Sequence, residues 1–134
     1  MTSPVEKALE GIQRQATGSA LEERAVRELT RAGYKVIGRN FRTKLGEVDI
    51  IATERDYVCF VEVRFRKNTG RGTAAESVTR GKQLKVIRAA QAWLLKHPAA
   101  ARTLQPRFDV VAIDADEQGH ETIQILKGAF MADR

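Results

Sequence analysis

Hydrophobic positions along the chain switch between helical and strand periods in a fixed order. Ala25, Val26, Leu29 and Ala32 recur at helical spacing between residues 19 and 32, and Gly33 supplies the residue type that closes a helix C-terminus. Residues 34–41 then read as a strand with partial alternation, and Thr43-Lys44-Leu45-Gly46 as a turn. Two runs rich in Val, Ile and Phe, residues 47–53 and 57–65, flank the charged tip Glu54-Arg55-Asp56 and predict a hairpin. A loop over 66–79 leads into a helix over 80–96, with Leu84, Ile87, Ala90, Gln91, Leu94 and Leu95 on one side and Pro98 just beyond its end. After a polar link over 102–106, residues 108–113 and 122–126 predict two more strands around the acidic turn 114–120.

The order is α-β-β-β-α-β-β. A strand, a helical crossover and a further strand predict one parallel pair in an otherwise antiparallel sheet, an α/β fold with a mixed β-sheet flanked by helices. Ser3-Pro4-Val5-Glu6 carries the signals of a helix start, followed by Val5, Ala8, Leu9 and Ile12 at helical spacing. The polar stretch after it marks residues 1–16 as an appendage, with a single domain over 17–134.

An apolar fraction of 43% and a charged fraction of 30% belong to a globular chain and exclude a fibrous or wholly disordered one. The net charge of +6 favours polyanionic partners. Cys59, the only cysteine, lies in the apolar run Tyr57-Val58-Cys59-Phe60-Val61, which excludes a disulfide framework and a zinc ribbon and predicts core packing. His97 and His120 lack metal-ligand spacing. No stretch approaches the roughly 20 apolar residues of a membrane span, and the N-terminus lacks a signal-peptide apolar region, so a cytoplasmic protein is expected.

The chemistry rests on carboxylates. Alternation puts Val58, Phe60, Glu62 and Arg64 on one face of the third strand, and Glu47, Asp49 and Ile51 on one face of the second with Val48 and Ile50 opposite. A tight turn at Arg55-Asp56 sets Asp49 across from Glu62. Glu22 shares the inward helix face of Ala25, Val26 and Leu29. Two carboxylates about 4 Å apart repel by roughly 4 kcal/mol at an effective dielectric of 20, so such a cluster requires a cation or a raised pKa. Arg64 supplies part of that charge. A hard divalent ion supplies it better, and oxygen-only ligands suit Mg2+ or Mn2+ rather than zinc. The blander alternative for Glu22 is a salt bridge to Arg39 or Arg42, and Glu47 reads more simply as a turn-edge charge than as a ligand.

Gly18 with Glu22 and Ala25, Gly33-Tyr34, Asn40-Phe41-Arg42, Gly46-Glu47-Val48-Asp49-Ile50-Ile51-Ala52, Phe60-Val61-Glu62-Val63-Arg64-Phe65-Arg66, Arg107-Phe108-Asp109-Val110-Val111 and Ala129-Phe130 together resemble the bacterial YraN-like proteins over residues 18–130. That resemblance implies a restriction-endonuclease-like core of the PD-(D/E)xK nuclease superfamily, similar in architecture to archaeal-type Holliday junction resolvases. It implies catalytic roles for Glu22, Asp49, Glu62 and Arg64, with Asp49, Glu62 and Glu22 as metal ligands. Arg64 takes the position of the motif lysine and, being always protonated, cannot serve as a general base. Leu21 stands where many relatives have glycine.

The implied activity is metal-dependent hydrolysis of DNA phosphodiesters, with branched or recombination intermediates as substrates by analogy of fold. Arg66, Lys67, Arg71, Arg80 and Lys82, around the glycine-containing loop, are the candidate phosphate contacts, and Gln83 is a secondary candidate. About five such contacts predict a slope near −4 to −5 of log affinity against log salt. The alternatives are a non-catalytic nucleic-acid-binding module and a protein-interaction adaptor in DNA metabolism. A homodimer would suit cutting both strands or a junction.

Overall fold

The computed structural model describes residues 20–67 and 72–132. The expected N-terminal appendage and Arg71 lie outside the described residues. Helix α1 (20–31) buries Ala25 and Leu29 completely, with Leu21 and Val26 packed beside them. Leu21 therefore has a core role in this chain. Ala32, expected on the inward face, is exposed because the helix has already ended. Gly33, at φ +98°, turns the chain, and the Tyr34 N–H closes the helix on the Leu29 carbonyl at 2.9 Å.

Strands β1 (Lys35–Arg42), β2 (Glu47–Glu54), β3 (Tyr57–Lys67), β4 (Gln105–Ala115) and β5 (Glu121–Phe130) form a sheet in the order β1-β2-β3-β4-β5. Only β3 and β4 pair in parallel, and between them run a 3-10 turn (Ala75–Ser77), helix α2 (Arg80–Lys96) and helix α3 (Pro98–Thr103). The expected mixed sheet flanked by helices is therefore observed. Helix α3 differs from expectation: Pro98 stands at the start of a second short helix, where its fixed φ and missing N–H do no harm. Strands β4 and β5 are longer than their apolar runs, because their polar ends still find pairing partners, such as Gln105 opposite Tyr57 and Glu121 opposite Ala115.

Two apolar layers sandwich the sheet. On the α2 side Val48, Ile51, Phe60, Phe108, Phe130 and Trp93 pack together, Phe60 and Trp93 edge to face at 5.7 Å. On the α1 side Leu29, Ile50, Val61, Val111 and Ile113 form the second layer with the buried Cys59. The inward face of α2 is rotated from the expected one: Val86, Ile87, Ala89, Ala90 and Trp93 are buried, whereas Gln91 is exposed and Leu95 is 84% exposed.

Strand β2 also departs from strict alternation. Val48 and Ile51 both reach the α2-side core, whereas Ile50 reaches the other side. The change of face falls at Asp49, and on β1 it falls at Asn40, which lies between the pairs Arg39↔Ile50 and Phe41↔Val48 and adopts φ +53°. Asparagine is one of the few non-glycine residues that tolerates this conformation.

Candidate active site

Pairing between β2 and β3 runs from Glu54↔Tyr57 to Ile50↔Val61 and stops there. The turn at Arg55-Asp56, with Arg55 at φ +53°, fixes this register, and its continuation brings Asp49 opposite Glu62. Where the strands part, the Asp49 carboxylate takes the place of a ladder carbonyl: its Oδ2 accepts the Val63 N–H at 2.8 Å. This bond anchors Asp49 beside Glu62 and satisfies a backbone donor that splaying would orphan.

Glu62 is half-buried within hydrogen-bonding reach of Asp49. Burial, then the hydrogen bond and negative charge of Asp49, push its carboxyl up to about 9, against a smaller opposing pull from Arg64. In the absence of a cation the Glu62 carboxyl therefore keeps its proton. Glu22 extends the acidic surface from α1. Its carboxyl is also raised, chiefly by burial and next by Asp49. Its Oε1 is buried without a hydrogen-bond partner. The Arg39 Nε lies 3.8 Å from this oxygen, while the Arg39 Nη1 bonds Glu23, so the salt bridge of the blander alternative is present only as a long contact. Arg42 pairs with the exposed Glu47 at 3.2 Å, and Glu47 adds a smaller upward push to the Glu62 carboxyl.

Arg64 is half-buried and aimed by the 3-10 turn, its Nε donating to the Ser77 Oγ at 3.0 Å. Ser77 in turn donates to the Ala74 carbonyl, and the Ala74 N–H is held by Asp114 Oδ1 at 2.7 Å. Ser77 and Asp114 thus position Arg64. Neither was legible as such, because the turn that joins them lies in what the sequence presents as loop.

Among the expected phosphate contacts, Arg66 is half-buried near the end of β3 and Lys67 and Lys82 are exposed. Arg80 and Gln83 do not join the carboxylates. Arg80 Nη1 donates to Gln83 Oε1 at 3.0 Å and to the Met131 carbonyl at 2.9 Å, and Gln83 Nε2 donates to the Val78 carbonyl at 3.2 Å. Both residues line a cleft with Ala129 and Phe130 at the β5 side. The cause is helical geometry: their positions on the first turn of α2 direct them toward the end of β5, and the nearby carbonyls capture the guanidinium.

A second polar cluster sits inside the sheet's other end. Asp109, fully buried, accepts from Tyr34 at 2.7 Å, from Arg107 at 2.9 Å through both oxygens, and from the Gly128 N–H at 2.9 Å. Arg107 also reaches Glu54 at 2.8 Å, and Lys127 closes the cluster on Glu54 at 2.6 Å. Burial alone would raise the Asp109 carboxyl, but Arg107 and the other donors hold it below the usual range. With its lone pairs satisfied, this cluster locks β2, β4, β5 and the start of β1 together and carries no free reactive group. The Arg107-x-Asp109 spacing, two residues on one strand face, was its only local signal.

Among the described residues no three acidic, histidine or cysteine side chains already close around one point. The donor set nevertheless suits a hard divalent cation: Asp49 and Glu62 are adjacent carboxylates short of counter-charge, and the Glu22 Oε1 is a buried oxygen lacking a partner. No helix is long and apolar enough to cross a membrane among these residues.

The model of "Uncharacterised protein family UPF0102" matches residues 21–113, a stretch that contains Glu22, Asp49, Glu62 and Arg64. The chain is 41% identical to a UPF0102 protein of Anaeromyxobacter sp. (strain Fw109-5) over 87% of its own length and 86% of the relative's. It is 42% identical to one of Rhodococcus opacus (strain B4), covering 86% and 96% of the two chains. It is 46% identical to one of Halorhodospira halophila (strain DSM 244 / SL1), covering 84% and 85%. Matches of this identity and coverage, spanning the splayed strands and both flanking helices, establish that the chain belongs to the UPF0102 family.

Proposed function

We propose that this protein is a metal-dependent endonuclease that hydrolyses DNA phosphodiesters in the cytoplasm, on a restriction-endonuclease-like core. The observation that carries the reading is the contact of Asp49 with Glu62 at the point where β2 and β3 separate, next to the buried Glu22 Oε1, which accepts no hydrogen bond. The Val63 N–H accounts for one oxygen of Asp49, but no comparable bond accounts for setting a second, half-buried carboxyl, Glu62, against it at a cost in burial and charge. A cation binding there turns the repulsion into a function.

Asp49 and Glu62 would hold Mg2+ or Mn2+, with Glu22 as a further oxygen donor. When bound, such an ion supplies Lewis-acid polarisation of a phosphate and lowers the pKa of water. Asp49 is oriented by the Val63 N–H on its Oδ2, and a cation would take the place of the Glu62 proton beside it. Arg64, fixed through Ser77, is a preorganised donor for the charge that develops on the phosphoryl oxygens in the transition state. It takes no proton from water.

A second reading is favoured by Arg64 itself: a nucleic-acid-binding module that retains the fold without turnover. The two separate in a cleavage panel of linear, nicked, flapped and four-way-junction DNA with Mg2+, Mn2+ or EDTA. The nuclease reading predicts metal-dependent cuts that disappear in folded Asp49→Ala and Glu62→Ala variants. Binding without cleavage across the whole panel would assign the module instead.

A further inference from the structure

Helix α2 carries Arg80, Lys82, Lys85, Arg88 and Lys96 and not one acidic residue in its 17 positions. Arg80 is turned to the β5 side, where its Nη1 donates to Gln83 and the Met131 carbonyl. Lys82, Lys85 and Arg88 are different. All three are exposed, and among the described residues none reaches an acidic partner. At about 1.5 Å of rise per residue, they span about 9 Å of helix.

The stripe does not end at the helix. Gly46, in the turn between β1 and β2, lies so close to α2 that a Cβ built on it would fall 1.8 Å from the Lys85 carbonyl oxygen. The turn is held shut by Thr43, whose N–H donates to the Gly46 carbonyl at 2.8 Å and whose Oγ1 accepts the Leu45 and Gly46 N–H groups at 3.1 and 3.2 Å. Lys44, at the tip, is exposed and also without an acidic partner among the described residues. Lys44 and Lys85 therefore belong to one rigid ridge. Its turn opens directly into Glu47 and Asp49, so the ridge borders the carboxylates on the β1 and α2 side.

We propose that Lys44, Lys82, Lys85 and Arg88 form a phosphate-tracking ridge for the backbone of duplex nucleic acid leading into the carboxylate site. This rests on the nuclease reading for the identity of the polyanion and relocates much of the contact surface from the 66–79 loop to α2. Charge complementarity commits the ridge to this occupant: four cations without acidic partners among the described residues are exposed beside a site read as taking phosphodiesters. An acidic site repels a polyanion, and a flanking cationic ridge offsets that repulsion. Backbone contacts of this kind position a duplex without reading its sequence.

The test is fluorescence anisotropy with a labelled linear DNA duplex in EDTA, read as log affinity against log salt. Each lost phosphate contact reduces the slope by about 0.9. Neutralising Lys82, Lys85 and Arg88 to Gln together is expected to make the slope shallower by about 2.7 and to weaken binding at low salt by more than tenfold. Exchanging Lys for Arg and Arg for Lys at the same positions should preserve the slope. Arg27, Arg31 and Arg102, exposed cations away from the ridge, give a control with the same loss of net charge when changed to Gln. An unchanged slope in the ridge variant, an equal loss in the control, or no duplex binding by the wild type would each overturn the ridge. Metal-dependent cleavage by the wild type is scored separately, so the nuclease reading can survive failure of the ridge, and the ridge can survive loss of cleavage.

Discussion

Glu62 holds its proton in the folded chain over a pH range in which the unfolded chain has lost it. Its carboxyl rises from the ordinary 4.5 to about 9, through burial and then Asp49, so between these values the native state binds more protons than the unfolded state. Stability must therefore fall as pH rises through that window. Asp109 and Glu54 are both held low, against the opposing effect of burial, by Arg107 with other donors in one case and by Lys127 and Arg107 in the other, and titrate below it. In EDTA, thermal melts of the wild type should show a declining midpoint across the window, and Glu62→Gln should flatten the decline. A midpoint that rises with pH would contradict the assignment. The neighbourhood of Asp49 and Glu62 was legible because a two-residue turn at Arg55-Asp56 fixes the whole register. The face change at Asp49 was not, because it depends on Asn40 in the adjacent strand adopting φ +53°. The Asp109 cluster was equally hidden, since Tyr34, Glu54 and Lys127 come to it from distant parts of the chain.

Among the elements, α2 separates what periodicity can decide from what it cannot. Its extent and its role as the crossover between β3 and β4 followed from the sequence, but its inward face did not. Apolar residues occur on more than one side of it, and Trp93 packing on Phe60 selects the face that leaves Leu95 in solvent. The turn between β1 and β2 has the converse property. Thr43-Lys44-Leu45-Gly46 was legible as a turn, while the reason for glycine lies in the Lys85 carbonyl across the gap. Gly46→Ala must push the turn and α2 apart, at an expected cost of about 1–3 kcal/mol of stability for an overpacked contact. Urea unfolding measures this directly. A loss within about 0.5 kcal/mol, the range of ordinary surface substitutions, would show that the close approach is not needed.

At the scale of the whole molecule, the sheet separates two kinds of polar cluster. At one end the Arg107 and Asp109 cluster has a donor for each buried carboxylate oxygen, and the Gly128 N–H donates to Asp109 where the β4–β5 ladder shifts register. At the other end β2 and β3 part, and Asp49, Glu62 and Glu22 crowd together so that burial and mutual repulsion push the Glu62 and Glu22 carboxyls up, against the smaller pulls of Arg64 and Arg39. The net charge of +6 is not spread evenly: four cations without acidic partners among the described residues, Lys44, Lys82, Lys85 and Arg88, gather in the ridge beside the acidic opening. Composition could announce an affinity for polyanions, but only the packing of Gly46 on α2 shows where the cations gather. The most direct measurement of the central claim is a calorimetric titration of Mn2+ into the metal-free protein, wild type beside folded Asp49→Asn and Glu62→Gln variants. Saturable binding by the wild type that both substitutions abolish is the predicted result, whereas no binding by the wild type, or undiminished binding by the variants, would contradict a metal site at the splayed strands.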